Sequence, residues 1–143
     1  MIRNRIKVIK KKKGKGLFPE TKVQLAIVKY IKLKYPHAAK FIIKIDNEGK
    51  RTVQGHELAK RCGLHIGASD LFIAKPTLEY YGLWLEIKKD GWKMVPSNQK
   101  HTEKQLSFID RMNSVGYKAD IGVGIDECMK IVDEYFKPTH PKS

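Results

Sequence analysis

Cysteine is scarce in this chain: only Cys62 and Cys128 occur. Two isolated cysteines lack the paired spacing of a zinc ligand set. They read as reduced core residues of a cytoplasmic protein. Long apolar runs are missing too, and nothing approaches the ~20 residues of a membrane span. The basic start, Met1 to Lys13, is not followed by a continuous apolar stretch and a small-residue cleavage site, so it does not read as a secretory signal. His56-Glu57 has no second histidine at the spacing of a zinc protease. Acidic residues are in deficit, 15 against 29 basic ones, which leaves a formal net charge of +14. A surplus that large implies a polyanionic partner, nucleic acid before membrane. Lysine far outnumbers arginine. Lysine meets phosphate as a point charge, whereas arginine is the usual bidentate reader of guanine, so backbone or shape recognition is favoured. Scattered surface lysines also serve solubility.

What is present suits one folded domain. A chain of 143 residues with 41% hydrophobic content can bury a core without staples. Lys10-Lys11-Lys12-Lys13 repels itself and cannot pack. Residues 1–17 read as a basic arm, either adding phosphate contacts or standing uninvolved. Residues 18–137 read as the domain, and 138–143 as a loose tail. Pro19 and Glu20 open a first helix, with Val23, Ile27, Tyr30 and Ile31 at helical spacing up to Tyr35-Pro36. Phe41 to Ile45 forms a strand, and Asp46 to Lys50 a polar loop. Val53 to Cys62 is a short helix ended by Gly63. A hairpin follows. Thr102-Glu103-Lys104-Gln105 fits a capping box opening the next helix, with Leu106, Phe108, Ile109 and Met112 on its apolar side and Gly116 ending it. Tyr117 to Val123 is the last strand. Gly124 or Asp126 starts a final helix with Ile125, Met129, Val132 and Phe136 as its stripe. The expected architecture is α/β, a mixed central sheet flanked by helices.

The hairpin carries the chemistry. Leu71 to Ala74 and Gly82 to Ile87 are apolar runs joined by a turn at Pro76-Thr77-Leu78-Glu79. A pivot near Leu78 sets Phe72 against Trp84 and Asp70 against Glu86. Side chains alternate along a strand, so Lys88 shares the face of Glu86, while Leu83, Leu85 and Ile87 point into a core. Two carboxylates opposed across a strand pair repel. The arrangement makes sense if a hard divalent cation sits between them. A lone Glu-x-Lys on an exposed strand is commonplace, and only the register with Asp70 lifts it above that. Glu20 and Gln24 fall within roughly 60° of Ile27 on a helical wheel, at the edge of the buried face. Glu20 there can aim into a cleft or simply offset the helix dipole. Lys93 and Trp92, in the loop after Lys88, can touch nucleic acid or cover the core edge.

The order Glu20…Gln24, Gly67-Ala68-Ser69-Asp70, Glu86-Ile87-Lys88 and Gln105 resembles the VRR-NUC family, the virus-type replication-repair nucleases of the PD-(D/E)XK superfamily. The resemblance runs from about Pro19 to Phe136. The superfamily's proline before the aspartate is Ser69 here. The resemblance implies a PD-(D/E)XK nuclease-like fold and a magnesium- or manganese-dependent endonuclease acting on DNA. Asp70, Glu86 and the Ile87 carbonyl would hold the metal, with Glu20 binding it directly or through water. Lys88 would orient the attacking water, with Gln105 beside it, although a helix cap explains Gln105 equally well. Lys60, Lys93 and Lys10 to Lys13 would meet the phosphate backbone. Preference for branched or junction DNA, a role in viral or phage replication, repair or recombination, and a homodimer acting on two strands are further implications. An inactive DNA-binding or packaging factor of the same fold is the alternative. A ribosome-associated basic protein explains the lysines but no cleft.

Overall fold

The computed structural model describes residues 16–46 and 52–137. Lys10 to Lys13, most of the expected loop at 46–50 and the tail therefore lie outside the described residues. Helix α1 (Pro19–Lys34) starts at the proline, with Glu20 in its first turn and Lys32 and Lys34 in its last. A 3-10 turn over Pro36–Phe41 follows, so strand β1 is shorter than expected, Ile42–Lys44. Proline at position 36 closes α1, and the turn it opens consumes Phe41. Helix α2 (Val53–Arg61) is capped by the Thr52 side chain, which accepts from Gly55 N at 3.0 Å. None of its residues is buried.

Strands β2 (Leu71–Ile73) and β3 (Leu83–Lys88) form the hairpin. The register is Leu71 with Leu85, Phe72 with Trp84 and Ile73 with Leu83, so the pivot falls at Leu78 as expected. Thr77 closes the turn, its N–H donating to Tyr80 O at 2.9 Å and its Oγ1 accepting from Tyr80 N at 3.1 Å. Helix α3 (Gln99–Asn113) then crosses to β4 (Lys118–Val123), and α4 (Gly124–Phe136) ends the domain. The sheet order is β1-β2-β3-β4, with β3 and β4 parallel and the other neighbours antiparallel. A parallel pair needs a crossover connection, and α3 is that crossover.

The core fills one face of the sheet. Leu71, Ile73, Leu83, Leu85 and Ile87 pack with Val23, Ile27 and Ile31 of α1 and Cys128, Ile131 and Val132 of α4. Tyr30 and Lys34 of α1 and Tyr35 just after it all donate to the Asp133 carboxylate of α4, locking the two helices together. The other face carries an aromatic layer. Phe72 stacks on Trp84 at 4.2 Å, and Trp84 meets the Phe108 edge of α3 at 5.0 Å.

Three expectations need correction. The α3 helix begins at Gln99, and Thr102 lies inside it, donating its hydroxyl to Asn98 O. Thr102 to Gln105 is therefore no capping box, and Leu106 points to solvent. On α4 the buried side chains are Cys128, Ile131, Val132 and Tyr135; of the expected stripe Val132 is among them, Met129 and Phe136 pack half-buried against the core, and only Ile125 is exposed. Cys62 is exposed at the end of α2 and only Cys128 is a core cysteine, since no residue of α2 is fully buried.

Candidate metal and nuclease site

The site lies where β2 begins and β3 ends, on the face that carries the aromatic layer. One step beyond the Leu71–Leu85 pair, Asp70 comes beside Glu86. Asp70 Oδ2 accepts from Ile87 N at 2.7 Å, which fixes its side chain against β3. Glu86 is 3% exposed and Lys88 5%. A fixed network joins them. Gln105 Nε2 donates to Glu86 Oε1 at 2.6 Å, and Lys88 Nζ donates to Gln105 Oε1 at 2.9 Å. Lys88 Nζ is also 3.4 Å from Glu86 Oε1 and lies over the Trp92 ring at 5.1 Å. Gln105 thus holds the base and the acid at once, from a helix face set by Thr102, Phe108 and Ile109.

Gly67 places that helix. Its φ is +93°, and a Cβ there would lie 2.8 Å from the backbone C and O of Lys104. Only glycine lets the strand leading to Asp70 lie this close to α3, one residue before Gln105. At the far end of α3, Asn113 clamps β4 with two bonds to the Ala119 backbone, 3.0 and 2.8 Å.

The electrostatics are those of two acids sharing a dry corner. Burial first, and then the charge of Asp70, push Glu86 up to about 8, against the pull of Lys88. Burial also raises Asp70, opposed by the Ile87 N–H and by Lys88 and reinforced by Glu20. Glu86 Oε2 is buried with no hydrogen-bond partner. An orphaned carboxylate oxygen beside a second raised carboxyl suits a hard divalent cation, with the Ile87 carbonyl at hand. Among the described residues no group of three His, Cys, Asp or Glu side chains converges as a metal cage. Asp70 and Glu86 are the two carboxylates that meet at this corner, and Glu20 is near enough to act on Asp70.

A cleft of about 600 Å³ opens from this corner, and Glu20, Gln24, Asp70, Glu86, Lys88 and Gln105 all line it. Lys60 and Lys93 do not. Lys60 is on α2, 3.6 Å from Glu57, and Lys93 is exposed in the loop before α3. Lys32, Lys44 and His101 line the cleft and were missed from sequence. A signal existed for one of them: Glu20, Gln24, Val28 and Lys32 recur every four residues beside the core row Val23, Ile27 and Ile31.

No family model and no curated protein matches the chain. Solved structures do. One, named a VRR_NUC domain protein, shares 26% identity at a TM-score of 0.67, covering 85% of this chain and 90% of its own. A second, named VRR_NUC domain, shares the fold at a TM-score of 0.50 and 20% identity, covering 84% and 100%. The class is therefore an α/β domain of nuclease type, a four-stranded mixed sheet between helices. More closely, the chain is similar to VRR-NUC domain proteins, whose name points to a nuclease.

Proposed function

We propose that the protein is a magnesium- or manganese-dependent endodeoxyribonuclease, selective for branched or junction DNA and serving viral or phage DNA replication, repair or recombination. The observation that carries the reading is the pairing of half-buried Asp70 with buried Glu86, with one Glu86 oxygen orphaned and the other held by Gln105. A binding protein gains nothing from opposing two acids in a dry corner.

Asp70, Glu86 and the Ile87 carbonyl would hold the ion. Bound there, a divalent cation supplies charge neutralisation at the phosphate and a more acidic water. The chain's own groups do the positioning. Ile87 N–H orients the Asp70 carboxylate. Gln105 orients Glu86 and, through its oxygen, aims the Lys88 ammonium. That ammonium, steadied over Trp92, offsets the charge that grows on the phosphate oxygens and orients the water for in-line attack. Glu20, which also lines the cleft, adds negative charge that would favour the cation, directly or through water.

The test is a panel of labelled flap, junction, single-stranded and duplex DNAs incubated with each metal, beside Glu86→Ala. Cutting by the wild type should stop with EDTA and with the substitution, while DNA affinity stays level or rises as repulsion falls. A wild type that cuts none of these with either metal is an inactive DNA-binding factor instead.

A further inference from the structure

The cleft extends well beyond the carboxylates, and its walls change character as it does. Near the site it is acidic. Further along, Leu25, Ile42 and Ile66 give it an apolar wall, and Lys32 and Lys44 stand on the lining. Leu25, 56% exposed, lines this concavity from α1. Gln24, one helical turn from Glu20 on α1, adds an amide to the lining.

The size of the cleft decides what it can admit. About 600 Å³ falls in the range, ~300–1,000 Å³, that encloses a single drug-sized ligand. A double helix, whose major groove alone is ~12 Å wide, stays outside. One nucleotide fits, and its parts match the lining: an apolar ring for the apolar wall, polar base edges for the amide, and phosphates for the lysines.

We propose that this cleft receives one unpaired nucleotide of the DNA, its base against Leu25, Ile42 and Ile66, its edge read by Gln24 and its flanking phosphates held by Lys32 and Lys44. The proposal rests on the nuclease reading and adds a substrate rule to it: the nucleotide beside the cut strand's phosphate must be free of its complement. Selection then comes from the cost of unpairing, which is least at a flap, gap or junction and greatest within a duplex.

The experiment separates this claim from the nuclease claim. Single-stranded oligonucleotides of equal length, each with one abasic position, are titrated against Glu86→Ala protein in magnesium and against wild type in EDTA, by fluorescence anisotropy. One abasic position should weaken binding about tenfold, the scale of one base's lost apolar contact area, while positions away from it change little. Leu25→Asp, at an exposed position that the fold tolerates, should erase that positional difference. Equal binding at all abasic positions, or no binding of single strands by either protein, overturns the proposal. The metal-dependent cutting panel is read separately. Cutting without any positional abasic effect removes the pocket and leaves the nuclease; a positional effect without cutting removes the nuclease and leaves the pocket as a binding site.

Discussion

A glutamate that is 3% exposed with one oxygen lacking any donor weakens the fold unless something neutralises it. The sign of the effect follows from linkage. Burial pushes Glu86 from its ordinary 4.5 up to about 8 in the fold, so the folded protein holds the extra proton. Below the unfolded value both states are protonated and nothing is lost. As pH rises through 4.5 towards 8, the folded state must keep a proton or carry an unrelieved charge, and stability falls by up to a few kcal/mol. A cation replaces that proton. Melting in EDTA should therefore drop steadily from pH 5 to 8.5, while the gap between magnesium and EDTA widens over the same interval. A melting temperature that ignores both pH and magnesium would remove the metal from the site. Gln105→Ala tests the next atom out. It leaves the Lys88 ammonium and Glu86 Oε1 without their shared partner. Cutting should fall ~10–100-fold, the usual cost of losing a group that orients a ligand, while affinity for DNA in EDTA is kept. Ser69 makes the opposite case: its hydroxyl is fully buried and unpartnered, so Ser69→Ala should leave stability level or raise it by about 1 kcal/mol in urea unfolding.

Elements deliver these atoms, and the tightest joint is that of Gly67 with α3. Gly67→Ala puts a methyl 2.8 Å from the Lys104 backbone, so α3 must back away and take Gln105 with it. Gly63→Ala is the control, since Gly63 also has positive φ, +101°, but open space around it. Both variants carry the ~1–3 kcal/mol strain of a non-glycine residue there. Only Gly67→Ala should lose cutting beyond what its melting temperature explains, and equal losses in the two would deny the joint. The same elements show why the sequence was readable in places. The hairpin register followed from a two-residue period and turn chemistry at Thr77, both local. Helix α1 was announced by Pro19 and by the Val23, Ile27, Ile31 row. The start of α3 was not, because Pro96 to Lys100 has no apolar period, and Thr102 with Gln105 imitates a cap signal three residues late. Removing that cap removes the ordinary explanation for Gln105, whose place between Glu86 and Lys88 depends on a tertiary contact that no local pattern encodes. Lys44 was invisible for the same reason: only the fold brings the end of β1 to the lip of a cleft made by α1 and the Asp70 segment.

At the scale of the molecule, +14 of net charge surrounds an acidic corner. The corner repels DNA and the surroundings must draw it in, so affinity rests on counterion release and falls steeply with salt. Each phosphate held contributes about 0.7–0.9 to the slope of log affinity against log salt. Lys44→Ala should therefore lower that slope by about 1, whereas Lys60→Ala, away from the cleft and beside Glu57, should leave it unchanged. The same measurement decides the part played by the basic arm. If Lys10 to Lys13 hold phosphates, removing residues 1–15 lowers the slope by roughly 2–4 and weakens single strands and branched DNA alike, because backbone contacts read no structure. On the proposal that the cleft sets it, selectivity between flap and duplex should survive the deletion. A truncated protein with an unchanged salt slope assigns all phosphate contacts to the folded domain, and one that loses its structural preference moves the source of that preference from the cleft to the arm.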